Sequence, residues 1–296
     1  MTKKNEVALY NNNTAVDVKK AAWNSLAKES QKSYQSDYKL FFQFIKKDPK
    51  HITADDILSY VEHLRDRGMK NNTINRKVAS LSKMFKVAIL AGEMQTNPVA
   101  VLKEFKNISM KVSKEVKISI TIDDVRKATR IKKIDTLHTR KTSLIVRMLA
   151  MTGLRISECT GIKNADIQDH DKSNKIIRIV GKGLKERYIY IDNVFLKEIK
   201  QIFPDTKKSD YLFYTVFHRR HDRSVLHRQI KEFFWTRIQK DVWPHALRHC
   251  FATHKINVEK QDIKAVSRFL GHSDVSITLN SYVDTALDVN KAKIKI

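Results

Sequence analysis

Apolar positions from Ser30 onward recur at three- and four-residue steps, with Tyr34, Tyr38, Phe41, Phe42 and Ile45 on one side. That spacing predicts an amphipathic helix whose aromatic stripe faces a core. A second helix is expected from Thr53, whose hydroxyl can cap while Asp56 lies three residues on, to about Gly68. A third opens at Asn72 and lines up Ile74, Val78, Leu81, Phe85, Ala88 and Ile89 before Gly92 supplies a left-handed stop. Asn97-Pro98 then reads as a break in the pattern. Residues 15–106 are thus expected to form an all-helical domain, with Lys39, Lys46, Lys47, Lys70, Arg76, Lys77, Lys83 and Lys86 on its outer faces.

The helical period is lost over residues 107–120, a Lys- and Ser-rich stretch that reads as a linker. Thr121, with Asp124 three residues later, starts a new helix, and the apolar run SLIVRMLAMTG reads as a buried helix that Gly153 ends. Residues 176–180 and 187–191 are β-branched or aromatic runs separated by GKGLKE, which predicts a hairpin. Further helices are expected from Val194, Ser224, His245 and Lys260. The fold class is therefore mainly α with a small β-hairpin or sheet (α+β), the second domain spanning residues 121–285 and a tail 286–296.

Charge changes the picture. The chain has 57 Lys plus Arg against 32 Asp plus Glu, a net charge of +25 spread along its whole length, which implies a surface that attracts a polyanion such as nucleic acid. Charge alone does not separate a binder from an enzyme. Two cysteines, Cys159 and Cys250, cannot build a disulfide framework and suit a reducing cytoplasm. No segment has the roughly 20 apolar residues of a membrane span, and MTKKNEVALYNNNT lacks the apolar core of a secretory signal. A cytoplasmic protein without a membrane partner is expected.

Four local groups carry candidate chemistry: TGLRISE with Arg155, GKGLKER with Lys182, HALRH with His245 and Arg248, and LGHSDVSITLNSY with His272 and Tyr282. Singly each is weak, since surface Arg, turn Lys and core Tyr residues are common. Together and in this order they resemble the tyrosine recombinase (phage integrase) family. The resemblance covers residues from about Thr121 to Tyr282 and extends more loosely to the first domain. It implies a helical core-binding domain joined to a catalytic domain in a C-shaped DNA clamp, of the minimal Cre, Xer or resolvase kind.

Breaking a phosphodiester passes through a pentacoordinate phosphorus whose non-bridging oxygens gain negative charge, so fixed cationic donors are needed. A guanidinium stays protonated and offers a planar fork for two oxygens. Arg155 and Arg248 are the expected pair, which the fold must bring together from distant segments. His245 lies three residues before Arg248, a spacing that places both on one helical face, where His245 can exchange a proton with the attacking hydroxyl. By resemblance, His272 donates to the phosphate, Lys182 protonates the departing 5′ oxygen, and Tyr282 is the nucleophile that forms a 3′-phosphotyrosine. Tyr282 follows His272 by ten residues, where many family members use nine, and no other tyrosine follows Tyr214. The scheme needs no metal, ATP or other cofactor.

By resemblance, Glu158 and His249 match an acidic and a His position of the family's motifs, which implies that they orient Arg155 and brace the site. His245, His249, Cys250 and His254 also admit a zinc reading, which the absence of an acidic base between them and the presence of Arg248 disfavour. Contacts to DNA are expected from Lys77 and Lys83 in the first domain and from Arg219, Arg220, Arg223 and Arg228 in the run HRRHDRSVLHRQIK. The resemblance implies as partner double-stranded DNA with an inverted-repeat core site, cut and exchanged through a Holliday junction by a homo-tetramer whose tails, residues 286–296 here, pass between subunits. Integration, excision and resolution of an element, plasmid or chromosome dimer all fit, and accessory or directionality factors are left open. A type IB topoisomerase-like relaxase and a non-catalytic DNA-binding protein are the alternatives.

Overall fold

The aromatic stripe does form a helix, α1, over Lys28–Ile45. The structure, a computed structural model, describes residues 23–24, 28–105, 120–181, 186–205 and 209–271. It divides into two units, Met1–Glu115 and Val116–Ile296.

In the first unit, a short 3₁₀ turn (Pro49–His51) leads to α2 (Ala54–Asp66), α3 (Asn71–Leu90) and α4 (Pro98–Phe105). Thr53 and Asp56 form the expected reciprocal cap on α2. Gly92, at φ 71°, follows α3, and Glu93 N–H closes back on the Ala88 carbonyl. Asn97-Pro98 opens a helix instead of ending one: the Asn97 side chain accepts from Val99 N–H, and proline sits in the first turn, where its missing donor has no intrahelical partner to lose. Phe41, Ile57, Tyr60, Leu64, Ile74, Leu81 and Phe85 fill the core, with Phe41 edge-on to the Tyr60 ring at 5.1 Å.

One expected outer-face residue lies inside. Lys77 is 6% exposed and its ammonium stands 2.8 Å from Asp37, which also takes Arg76 at 2.7 Å. Lys77 is thus a structural cation of α3, and its expected DNA contact is corrected; α3 turns it toward a carboxylate that lies on α1, far away in sequence. Burial pushes the Asp37 carboxyl up, but hydrogen bonds and charge from Arg76 and Lys77 outweigh it and hold it below the usual range. Asp37→Ala leaves Lys77 charged and buried, so chemical denaturation should show a loss of about 3–5 kcal/mol. Because the folded-state value is depressed, this contribution is full above an unfolded value of about 3.9 and fades as pH falls through the folded value.

The second unit contains α5 (Ile122–Thr129), α6 (Leu137–Thr152), the single turn α7 (Ile156–Cys159), strands β1 (Ile167–Asp169), β2 (Asn174–Val180) and β3 (Glu186–Asp192), then α8 (Asn193–Ile202), α9 (Arg223–Ile238) and α10 (Pro244–Thr253). A π-turn over His254–Val258 leads to α11 (Ile263–Leu270). The apolar run of α6 is buried at its centre, packed by α5, α9 and α10. The hairpin gains a third strand, giving an antiparallel sheet in the order β1-β2-β3, with Ile177 opposite Ile189 and Ile179 opposite Arg187. Ile177, Ile179, Ile189 and Ile191 face the core, while Tyr188 and Tyr190 face outward. Among the described residues no helix is long and apolar enough to cross a membrane.

Candidate active site

Helix α6 ends on Gly153 at φ 62°, a conformation that disfavours a side chain. A Cβ there would lie 2.6 Å from the Phe251 ring and 2.7 Å from Leu270. Both constraints force the tight turn that delivers Arg155 to the N-cap of α7. Gly153→Ala should therefore destabilise the protein by about 2–5 kcal/mol in urea denaturation, combining ~1–2 for the left-handed backbone with ~1–3 for overpacking.

From this turn a carboxylate-centred cluster is built. Glu158, three residues into α7, accepts the Arg155 backbone N–H at 2.8 Å and Arg155 Nη1 at 2.9 Å. Arg187, on β3, donates to both Glu158 oxygens, at 3.2 and 2.7 Å. Arg248, on α10, brings Nη1 to 4.0 Å from the same carboxylate. Burial pushes the Glu158 carboxyl up, but hydrogen bonds from Arg187 and Arg155 and their charges lower it overall, so it stays ionised. Three guanidiniums around one carboxylate leave two positive charges, which suits an anionic group that gains charge during reaction.

The three arginines are not equivalent. The Arg155 side chain is 37% exposed, Arg187 14% and Arg248 0%. Arg248 donates Nη1 to the Gly153 carbonyl at 2.8 Å and Nη2 to the Leu270 carbonyl at 2.6 Å, so it ties the end of α6 to the end of α11. The structure thus gathers Arg155 and Arg248 as expected, but exposes the first and encloses the second. His245 and Arg248 lie on the one helix α10, where His245 is exposed and meets His249, one turn on, with ring centroids 4.8 Å apart and nearly perpendicular. The π-turn places His254 by Glu259 instead, at 3.5 Å. Cys250 is buried, its thiol pushed up to about 12 by desolvation and then by Asp124. Among the described residues no group of three or more His, Cys, Asp or Glu is placed to hold a metal ion.

Lys182, His272 and Tyr282 lie outside the described residues, as does the tail 286–296. Their neighbours are placed: the segment holding Lys182 joins β2 to β3, and His272 directly follows Gly271, which stops α11 at φ 70°. Of the expected DNA contacts, Lys83, Arg219, Arg220, Arg223 and Arg228 are exposed. Arg220 also reaches back to the protein, its Nη2 on the Ser157 carbonyl and its Nε 3.3 Å from Thr160 Oγ1, where it caps the end of α7.

Arg187 was not singled out by the motifs, although it starts the run RYIYI. Its signal is positional: it shares the inward register of β3 with Ile189 and Ile191, where a charge needs a partner.

A profile described as the phage integrase family matches residues 119–288, and one described as the phage integrase N-terminal SAM-like domain matches residues 22–92. Tyrosine recombinase XerC of Thermodesulfovibrio yellowstonii is 24% identical over 265 residues, covering 86% of this chain and 85% of the relative. Tyrosine recombinase XerD of Rickettsia prowazekii is 28% identical over 280 residues, covering 87% of each. Among solved structures, a lambda integrase (75–356) dimer bound to a COC′ core site superimposes with a TM-score of 0.68 at 17% identity, covering 94% of this chain and 96% of that one. The Tn1549 transposon integrase with a circular intermediate DNA gives 0.65 at 17% identity, covering 93% and 98%. The structural matches establish the shared fold.

Proposed function

Because the chain belongs to the phage integrase family and is a site-specific tyrosine recombinase, we propose that it cuts and rejoins double-stranded DNA through a 3′-phosphotyrosine and a Holliday junction. The observation that carries this reading is the Glu158 cluster, which presents Arg155 with excess positive charge at the head of α7. In the proposed step Tyr282 Oη attacks phosphorus, the bond to the 5′ oxygen breaks, and the phosphate stays on tyrosine. The phenol proton passes to His245, and Lys182 protonates the departing oxygen. Arg155, Arg248 and His272 stabilise the non-bridging oxygens, and the two carbonyl bonds of Arg248 use only two of the five N–H donors of its guanidinium. The covalent link conserves the energy of the broken bond, so resealing by the 5′ hydroxyl of the partner strand needs no nucleotide. Glu158 and His249 orient these groups.

The protein acts in the cytoplasm on an inverted-repeat core site as a tetramer, its tails exchanged between subunits. Lys83, Arg219, Arg220, Arg223 and Arg228 contact phosphates. Integration, excision and resolution all use this chemistry.

The test is covalent trapping on nicked duplexes drawn from the DNA that flanks the gene, followed by mapping of the junction. A peptide containing Tyr282 joined to a 3′ phosphate is expected. A 5′-linked product, or a strict magnesium requirement, overturns the scheme. Relaxation of supercoiled DNA without strand exchange identifies a relaxase instead.

A further inference from the structure

We propose that Arg187 is a positioning residue for strand cleavage, which holds the Glu158 carboxylate so that Arg155 keeps its guanidinium turned toward DNA. The inference rests on the recombinase reading above and extends it to a residue that this reading leaves without a role.

Three observations point to it. First, Arg187 meets Glu158 fork to fork, at 3.2 and 2.7 Å, with side chains 14% and 5% exposed. That geometry is the strongest a carboxylate makes with a cation. Second, Arg187 stands on the inward register of β3 opposite Ile179, an apolar face where an ion is unfavourable unless paired. Third, its guanidinium lies against Gly271: a Cβ there would be 3.4 Å from Nη1 and 3.7 Å from Cζ. One side chain thus touches the cap that carries Arg155 and the residue before His272, and does so from the strand that follows Lys182.

The division of the carboxylate gives the function. Arg187 occupies both Glu158 oxygens, and Arg155 adds its backbone N–H and the single nitrogen Nη1. Without Arg187, Arg155 can swing into the two-nitrogen geometry itself and withdraw from the phosphate. The loss then falls on the rate of cleavage and not on DNA affinity.

The test uses the full chain and a suicide duplex built on the core site mapped from the flanking DNA. Arg187→Lys keeps the charge beside Glu158 but removes the fork. Half-site affinity should stay near wild type while single-turnover cleavage falls about 10–100-fold, the range typical of groups that orient a primary ligand. A 5′-bridging phosphorothiolate, whose sulfur leaves without a proton, should not restore the rate. In a Glu158→Gln background the same substitution should cost much less than in wild type, because both act through one contact. Rescue by the phosphorothiolate would instead assign Arg187 to placing Lys182, and additive losses would make it merely structural; either overturns the proposal. If the lysine variant does not melt cooperatively, Arg187→Gln, which still donates to Glu158, is read in the same assays. A wild-type chain that forms no covalent complex refutes the recombinase reading and this inference with it. A wild type that cleaves no faster than Arg187→Lys refutes this inference alone.

Discussion

Tyr282→Phe should bind its core site with affinity close to wild type and form no covalent complex, the largest effect expected of any single substitution. The change removes one hydroxyl, and that oxygen is the atom that would bond to phosphorus. Affinity is set by phosphate contacts over many base pairs and has little stake in it. A free phenol titrates near pH 10 and is a poor nucleophile at neutrality, so the reaction depends on the cationic surroundings that Arg155 and its neighbours supply. Gel-shift titration alongside denaturing-gel trapping on a nicked duplex measures both quantities. A persistent covalent band in the phenylalanine variant would transfer the nucleophile's role elsewhere, and Ser281, nine residues after His272, would then be tested.

Binding should also collapse with salt. The net charge of +25 lies along the whole chain, and Lys83, Arg219, Arg223 and Arg228 are exposed in both units. Each phosphate neutralised releases condensed counterions, so neutralising about six to ten phosphates lowers affinity about 10³–10⁵-fold between roughly 50 and 200 mM salt. Lys77→Met should leave that slope unchanged, because this ammonium is buried on Asp37 and neutralises no phosphate. A slope near zero for wild type, or one reduced in the Lys77 variant, would contradict this assignment of the basic residues.

Local signals in the sequence located most helices well. Thr53 with Asp56 and Thr121 with Asp124 are reciprocal caps in the structure as in the pattern, and Gly92 and Gly153 take the left-handed stops. These features are readable because donor and acceptor lie within one helical turn. Strand β1 escaped because three residues cannot display alternation, and α4 because proline in a first turn and proline as a breaker look alike without the Asn97 cap in view. Charged residues were the least legible. Lys77 is expected on an outer face and Arg248 at the phosphate, and the structure places Lys77 on Asp37 and Arg248 on the carbonyls of Gly153 and Leu270, all remote in sequence. A charge signals a partner, but not whether that partner is DNA or the protein itself. Arg187 shows the reverse case, where strand register marked an inward position that the neighbouring lysine motif obscured.

The bridge that Arg248 makes between Gly153 and Leu270 has a mechanical consequence. A planar guanidinium fixed at both ends, at 2.8 and 2.6 Å, is a stiff strut with little slack. Its anchors sit two residues before Arg155 and two before His272. The turn that aims Arg155 and the end of α11 that leads to His272 are therefore registered against each other by a shared side chain, so the placement of one fixes a reference point for the other.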